Sequence, residues 1–215
     1  YCFIHYKKKY AYNDTVLFNE EFMNGMGIHT RFPIIRRERI PYRSLYNGSV
    51  AWYLNINGDT VLVINNHFEA THINKKARHT YQEILKGDIK GATARSESQK
   101  LLVTLAESAA KRAPQVQAVR RYIEEHSQYP IILCGDFNDN PISFSRHEMA
   151  EVLNDCFKST VRGLGLSYKQ KGFYFRIDHI FCSDDIKPYN CYVDHKMDAS
   201  DHYPMICWLK IGGKD

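Results

Sequence analysis

An α+β domain, with helices packed on a β-sheet, is predicted by the order of elements in this 215-residue sequence. Three observations carry that prediction. Two stretches rich in β-branched and aromatic residues, 49–56 and 60–67, flank Asn57-Gly58-Asp59, a strong turn signal. A central segment, 92–127, has few β-branched side chains and spaces its apolar residues three and four apart. Short apolar segments return after it, the first being Ile131-Ile132-Leu133-Cys134 between Pro130 and Gly135.

Taken in order, residues 1–6 are aromatic and β-rich and read as a strand running out to solvent at Lys7, Lys8 and Lys9. Phe18-Asn19-Glu20-Glu21-Phe22 reads as loop. Residues 49–56 and 60–67 form a hairpin. Within 92–127, Leu101, Leu102, Leu105 and Ala109, then Val116, Val119 and Ile123, mark helical faces. Pro114 lacks a backbone donor and crowds the preceding turn, so it is expected to divide the segment into two helices. Ile131–Cys134 has the composition of a strand buried on both faces, ending at Gly135. Residues 145–157 read as helix, 158–172 as loop, and 173–182 and 203–211 as two further strands.

With 44% hydrophobic and 25% charged residues, and only 12 Gly and 7 Pro, the composition excludes collagen, low-complexity and disordered chains. Apolar runs such as Val61–Ile64 fall far short of the roughly 18 residues needed to cross a bilayer as a helix. No internal repeat or linker is evident, so residues 1–215 read as one domain. The chain begins at Tyr1 rather than Met, and is expected to be a fragment lacking its natural N-terminal part. The balance of 29 basic and 24 acidic residues, +5, suits a polyanionic partner without demanding one. Six cysteines stand apart with no CxxC pair, which argues against a zinc or redox motif.

Four segments carry chemistry. In Gly135-Asp136-Phe137-Asn138, a carboxylate and an amide two residues apart at a strand end point the same way, and together they can grip a water, a phosphate or a hard cation. The same residues also favour a simple turn. In Arg176-Ile177-Asp178-His179-Ile180-Phe181, the carboxylate of Asp178 lies within an apolar strand and needs a partner, while His179 should face the opposite side. In Ser200-Asp201-His202-Tyr203-Pro204, adjacent acid and imidazole would serve different subsites if the backbone is extended. Asp178 bonded to a ring nitrogen of His202 would fix its tautomer and raise its basicity. His67, ending Asn65-Asn66-His67, could donate to a phosphate oxygen or protonate a leaving group. Read singly, His202 is more often a surface histidine, and His67 is as easily a polar residue at a strand end.

In order and spacing, these four segments resemble the endonuclease/exonuclease/phosphatase superfamily, the deoxyribonuclease-I-like fold, and Gly27–Ile34 resembles the strand before its central hairpin. The resemblance implies a four-layered αββα sandwich, its first strands missing from this chain, and a divalent-metal-dependent phosphoesterase. By that resemblance His67, Asp136, Asn138, Asp178 and His202 are catalytic. Asp136 and Asn138 position or activate the attacking water, and His202, oriented by Asp178, contacts the scissile phosphate or acts as base. His67 stabilises the pentacovalent phosphate or the leaving oxygen. Asp201, Asp136 and Asn138 hold Mg²⁺, or Mn²⁺ in its place.

The sequence departs from the family at its principal metal ligand, a Glu ending an early strand, for which Glu20 and Glu21 are poor substitutes. It also has Asn66 where the family usually has Thr. The fragment alone is therefore expected to be inactive if that Glu lies upstream. The leading expectation is phosphodiester hydrolysis of the nuclease kind by a monomer. The basic balance and the Lys7–Lys9 and Arg36-Arg37 clusters tilt the substrate slightly towards nucleic acid. The alternatives are a phospholipid or inositol-phosphate phosphoesterase, with membrane association through residues upstream of Tyr1, and a non-catalytic binding module. The compartment is not legible.

Overall fold

A computed structural model describes residues 9–19, 21, 24–71, 73, 75–170, 173–197 and 199–212. Strands β1 (Tyr12–Asn19) and β2 (Asn24–Thr30) form an antiparallel hairpin, and β3 (Ile34–Arg39), β4 (Gly48–Ile56) and β5 (Asp59–His67) pair in succession. Helices α1 (Lys75–Lys86) and α2 (Gly91–Glu125) lead to β6 (Ile131–Asp136). Then come α3 (Phe144–Ala150), β7 (Asn154–Asp155), α4 (Cys156–Thr160), β8 (Tyr168–Gln170), β9 (Phe173–Phe175), β10 (Asp178–Cys182), β11 (Ile186–Val193) and β12 (Met205–Ile211). The main sheet has six strands in the order β3-β4-β5-β6-β10-β7, and β1-β2, β8-β9 and β11-β12 are two-stranded. Among the described residues, β5 and β6 alone pair in parallel within the main sheet, because the two helices carry the chain back to the starting end.

Local chemistry explains the centre of this sheet. Asn57 and Gly58 adopt positive φ, 54° and 100°, which a tight hairpin turn requires, and the β4–β5 register runs unbroken from Ile56↔Asp59 to Gly48↔His67. Alternation then divides the side chains. Ala51, Tyr53, Leu62, Ile64, Leu133 and Phe181 pack against Val116, Val119 and Ile123 of α2. On the other face Val50, Trp52 and Leu54 meet Met26, Val16 and Ile28 of the β1–β2 hairpin, and Trp52 Nε1 donates to Asp14 Oδ2 across the layers at 2.8 Å. Further along that face, Ile132 and Ile180 pack with the β11–β12 hairpin through Cys191, Val193 and Met205. Strand β4 is buried on both faces because it is sandwiched.

The molecule is thus α+β, layered as helices, main sheet and hairpins. Beside the hairpin layer, helix α4 packs Cys156 and Phe157 with Ile186, Cys191 and Val193 of β11. Pro114 does not divide the helix: α2 runs unbroken through it. Buried residues on both sides hold that geometry, since Arg112 donates to Glu69 O at 3.1 Å and Gln115 Oε1 accepts from Glu69 N at 2.9 Å. Phe18 and Asn19 belong to β1 rather than to loop, and the 158–172 segment contains β8. The 145–157 segment breaks at β7, where Asp155 caps α4 by accepting from Lys158 N. Strand β11 escapes pattern reading because Pro188 and Asn190 interrupt it. Pro188 sits in a strand with one partner, and Asn190, at φ 45°, fills a bulge between Tyr189 and Tyr192. The strand expected at residues 1–6, with Lys7 and Lys8, lies outside the described residues, as do Glu20 and Phe22.

Candidate active site

Strand register aligns the first three side chains. His67 of β5 stands opposite Asp136 of β6, and Asp136 opposite Asp178 of β10. Cross-strand partners project to the same side, so an imidazole and two carboxylates form one row at the end of the main sheet, facing the hairpin layer. Gly135 makes the close strand approach possible. Its φ is 135°, and a Cβ there would lie 2.0 Å from Asn66 O.

Beyond the strand, Asn138 turns back on Asp136. Its backbone is left-handed, φ 50°, its N–H donates to Asp136 Oδ1 at 2.7 Å, and Nδ2 donates to Oδ2 at 3.1 Å. Nδ2 also reaches Phe68 O at 3.0 Å, tying the chain after β5 to the chain after β6. The turn and the site are therefore one structure.

His202 enters from the loop before β12. Its Nδ1 lies 2.8 Å from Asp178 Oδ2, its Nε2 3.9 Å from Asp136 Oδ2, and a bridge to Tyr168 with the two rings 5.1 Å apart holds it. His67 Nε2 stops 3.8 Å from that same Asp136 oxygen. Neither distance is a hydrogen bond, so both imidazoles flank Asp136 without closing on it. Asp201 is exposed, with Oδ1 accepting from Ser200 Oγ at 3.2 Å and Oδ2 within 3.5 Å of Gln170 Nε2.

These groups perturb one another. Burial, then the charge of Asp178, push the Asp136 carboxyl up to about 7, against the opposing pull of His202, Asn138 and Arg112. Burial lowers His202, but the hydrogen bond and charge of Asp178, with Asp136 and Asp201, outweigh it and raise the imidazole above its ordinary value. Burial and the charge of His202 lower His67. A carboxyl near 7, an imidazole shifted towards its cationic form and one shifted towards its neutral form offer a base, an anion contact and a hydrogen-bond donor in one place.

One cleft of about 440 Å³ gathers His67, Asp136, Asn138, Asp201 and His202, while Asp178 stands behind His202. Asp201 and His202 share it despite being adjacent in sequence. His179 faces the helices, buried, with Nε2 3.2 Å from Asp139 O. Arg36 and Arg37 are occupied by ion pairs with Glu38 and Asp14.

Sequence reasoning missed Arg112, which donates to Glu69 O and Thr71 Oγ1 and lies 3.4 Å from Asp139 Oδ1. Its position in register with Ser108, Gln115, Val116 and Val119 on the buried face of α2 was the available signal. Arg78, Tyr81 and Asp139 also line the cleft unannounced.

For a divalent metal, the cleft offers the carboxylates of Asp136 and Asp201 and the amide oxygen of Asn138, donors of the right hardness for Mg²⁺, while its third carboxylate, Asp139, is paired with Arg112. No group of three or more His, Cys, Asp or Glu among the described residues is placed to hold a metal ion. That is compatible with Mg²⁺, which commonly takes one or two carboxylates and completes its shell with water and substrate phosphate. Glu21 lies exposed in the turn between β1 and β2 and is not among the cleft-lining residues.

The model of the Endonuclease/Exonuclease/phosphatase family matches residues 5–202. No curated protein matches significantly. Among solved structures, a mannosyl-6-phosphatase of Bacteroides thetaiotaomicron VPI-5482 is 20% identical with a TM-score of 0.60, the match covering 95% of this chain and 79% of that one. A humanized D. rerio TDP2 is 14% identical with a TM-score of 0.64, covering 97% and 81%. The human Nocturnin catalytic domain is 12% identical with a TM-score of 0.60, covering 94% and 72%. At these identities the likeness is one of fold.

Proposed function

The chain belongs to the endonuclease/exonuclease/phosphatase family, and on that premise we propose that it is a phosphoester hydrolase, most specifically a phosphodiesterase that directs water onto phosphorus. The observation that carries this reading is the row of His67, Asp136 and Asp178, completed by His202 at 2.8 Å from Asp178.

Asp136 receives a proton from the attacking water; a carboxyl near 7 is matched to that task at neutral pH. Asn138, bonded to both of its oxygens, fixes the direction of the remaining lone pairs. His202, held by Asp178 in one tautomer and biased towards the imidazolium, binds a non-bridging phosphoryl oxygen and offsets the charge that grows there. His67, neutral, donates its Nε2–H to the same phosphoryl group or to the departing oxygen. Asp136, Asn138 and Asp201 would hold Mg²⁺, or Mn²⁺, which when bound neutralises phosphoryl charge as a Lewis acid. The neighbours whose names denote a phosphatase and TDP2 support the phosphoester class. The net charge of +5 supports nucleic acid as the partner of a monomeric enzyme.

The test is hydrolysis of an aryl phosphodiester and of plasmid DNA, with and without EDTA, by the full-length protein and by its Asp136→Asn variant. EDTA-sensitive cleavage lost in Asp136→Asn is the expected result. Cleavage of neither substrate, or activity indifferent to Asp136→Asn, overturns the proposal.

A further inference from the structure

The cleft has a second, apolar end that the chemistry above does not use. Helix α2 buries side chains only from Ser108 onward, so its first half serves no core. Yet Leu101 and Leu105, four apart and therefore on one face, line the cleft with Tyr81 of α1 and Phe175 of β9. Leu105 remains 38% exposed there. Apolar surface left open beside a polar reaction centre is the usual composition of a small-molecule site, in which a few polar groups orient a ligand whose bulk lies among apolar side chains.

We propose, resting on the phosphoesterase reading, that this end is a substrate subsite for an aromatic ring carried within a few bonds of the scissile phosphate. The walls argue for a ring, since Tyr81 and Phe175 offer aromatic partners and aromatic pairs gain beyond their buried area. The space agrees as well: about 440 Å³ falls within the range of single small-molecule sites and takes a phosphate with one ring system. Arg78 stands on the same face of α1 as Tyr81, lines the same cleft, and has its guanidinium fixed by Nε donating to Ile73 O at 3.0 Å. It supplies a cation for the phosphate while the ring occupies the apolar end. The helical pair α1–α2 therefore sets specificity, and the strand ends set the reaction.

The experiment measures binding of methyl phosphate, benzyl phosphate and adenosine 5′-monophosphate to the full chain by calorimetry, and repeats it with Leu101→Ser/Leu105→Ser. A ring-bearing phosphate is expected to bind at least about tenfold tighter than methyl phosphate, a preference that falls below about threefold in the double variant. Within that outcome, the tighter of the two ring-bearing ligands tells a nucleoside source from a simple aromatic ester. Equal binding of all three, or a ring preference that survives the double substitution, overturns the subsite and leaves the phosphoesterase reading standing. Binding of no phosphate together with hydrolysis of no phosphoester overturns both. Circular dichroism verifies that the variant folds; should it not, the ligand series on the native chain still decides.

Discussion

Burial and the charge of Asp178 push Asp136 up to about 7, so at neutral pH this carboxyl is balanced between two forms. A folded-state value above the unfolded 3.8 means that the stability gained by keeping the proton is present at low pH and is lost as pH rises through about 7. Activity runs the other way, because the base must be ionised. Asp178→Asn removes the like charge, so the Asp136 titration followed by NMR in EDTA is expected to move to lower pH; a midpoint unchanged or raised would refute the coupling. Arg112 is the second residue whose role is energetic. It is 2% exposed and pairs with Asp139 while bonding Glu69 O and Thr71 Oγ1. Arg112→Ala leaves Asp139 without its cation and is expected to cost about 3 kcal/mol, readable by denaturant unfolding. At this scale the sequence was legible where chemistry repeats a local signal: Asp136, Asn138 and His202 announce themselves by polarity beside a strand end, and Asp178 by a carboxylate set in an apolar strand. Arg112 and Arg78 lie on helices, where a cation is ordinarily solvated, and the difference shows only in the packing of α2 on the sheet for Arg112 and in the bond to Ile73 O for Arg78.

Helix α2 passes through Pro114 without a break, although an interior proline removes one hydrogen bond and crowds the preceding carbonyl at about 3 kcal/mol. Packing of Arg112, Gln115 and Val116 outweighs that penalty. Pro114→Ala should therefore stabilise the protein, by about 1 kcal/mol or more in chemical denaturation, since the restored N–H joins a helix already formed. A lower midpoint would show that the proline sets a bend the packing needs. Elements with strong periodicity or turn chemistry, such as β4–β5, were legible in the sequence. Strand β11 was not, because its register depends on a bulge at Asn190 and a partner strand nearly twenty residues on. The sequence of helix α1 carries a helical stripe at Ala77, Tyr81, Ile84 and Leu85 that pattern reading passed over, and one of its members, Tyr81, faces the cleft.

The two hairpins of the second β-layer are joined to the main sheet by side chains rather than by strand pairing. For the β1–β2 hairpin one polar tie is the bond from Trp52 Nε1 to Asp14 Oδ2. Trp52→Phe keeps most of the apolar contact and removes that tie. Hydrogen exchange in β1 and β2 is then expected to quicken while β4 and β5 keep their protection; uniform acceleration would mean that the layers open together. The α+β class was legible across the chain because strands precede and follow the helices. The division of the hairpin layer was not, since it arises from which faces meet and no single segment encodes that.

The parallel pairing of β5 with β6 has a temporal consequence. His67 and Asp136 become neighbours only after the sixty-odd residues between them have closed into a loop, and His202 must arrive from still further along. Closing such a loop is costly and slow compared with forming a hairpin. A nascent chain leaving the ribosome thus carries no assembled centre until the segment before β12 has emerged, which keeps the cleft silent through most of its own synthesis.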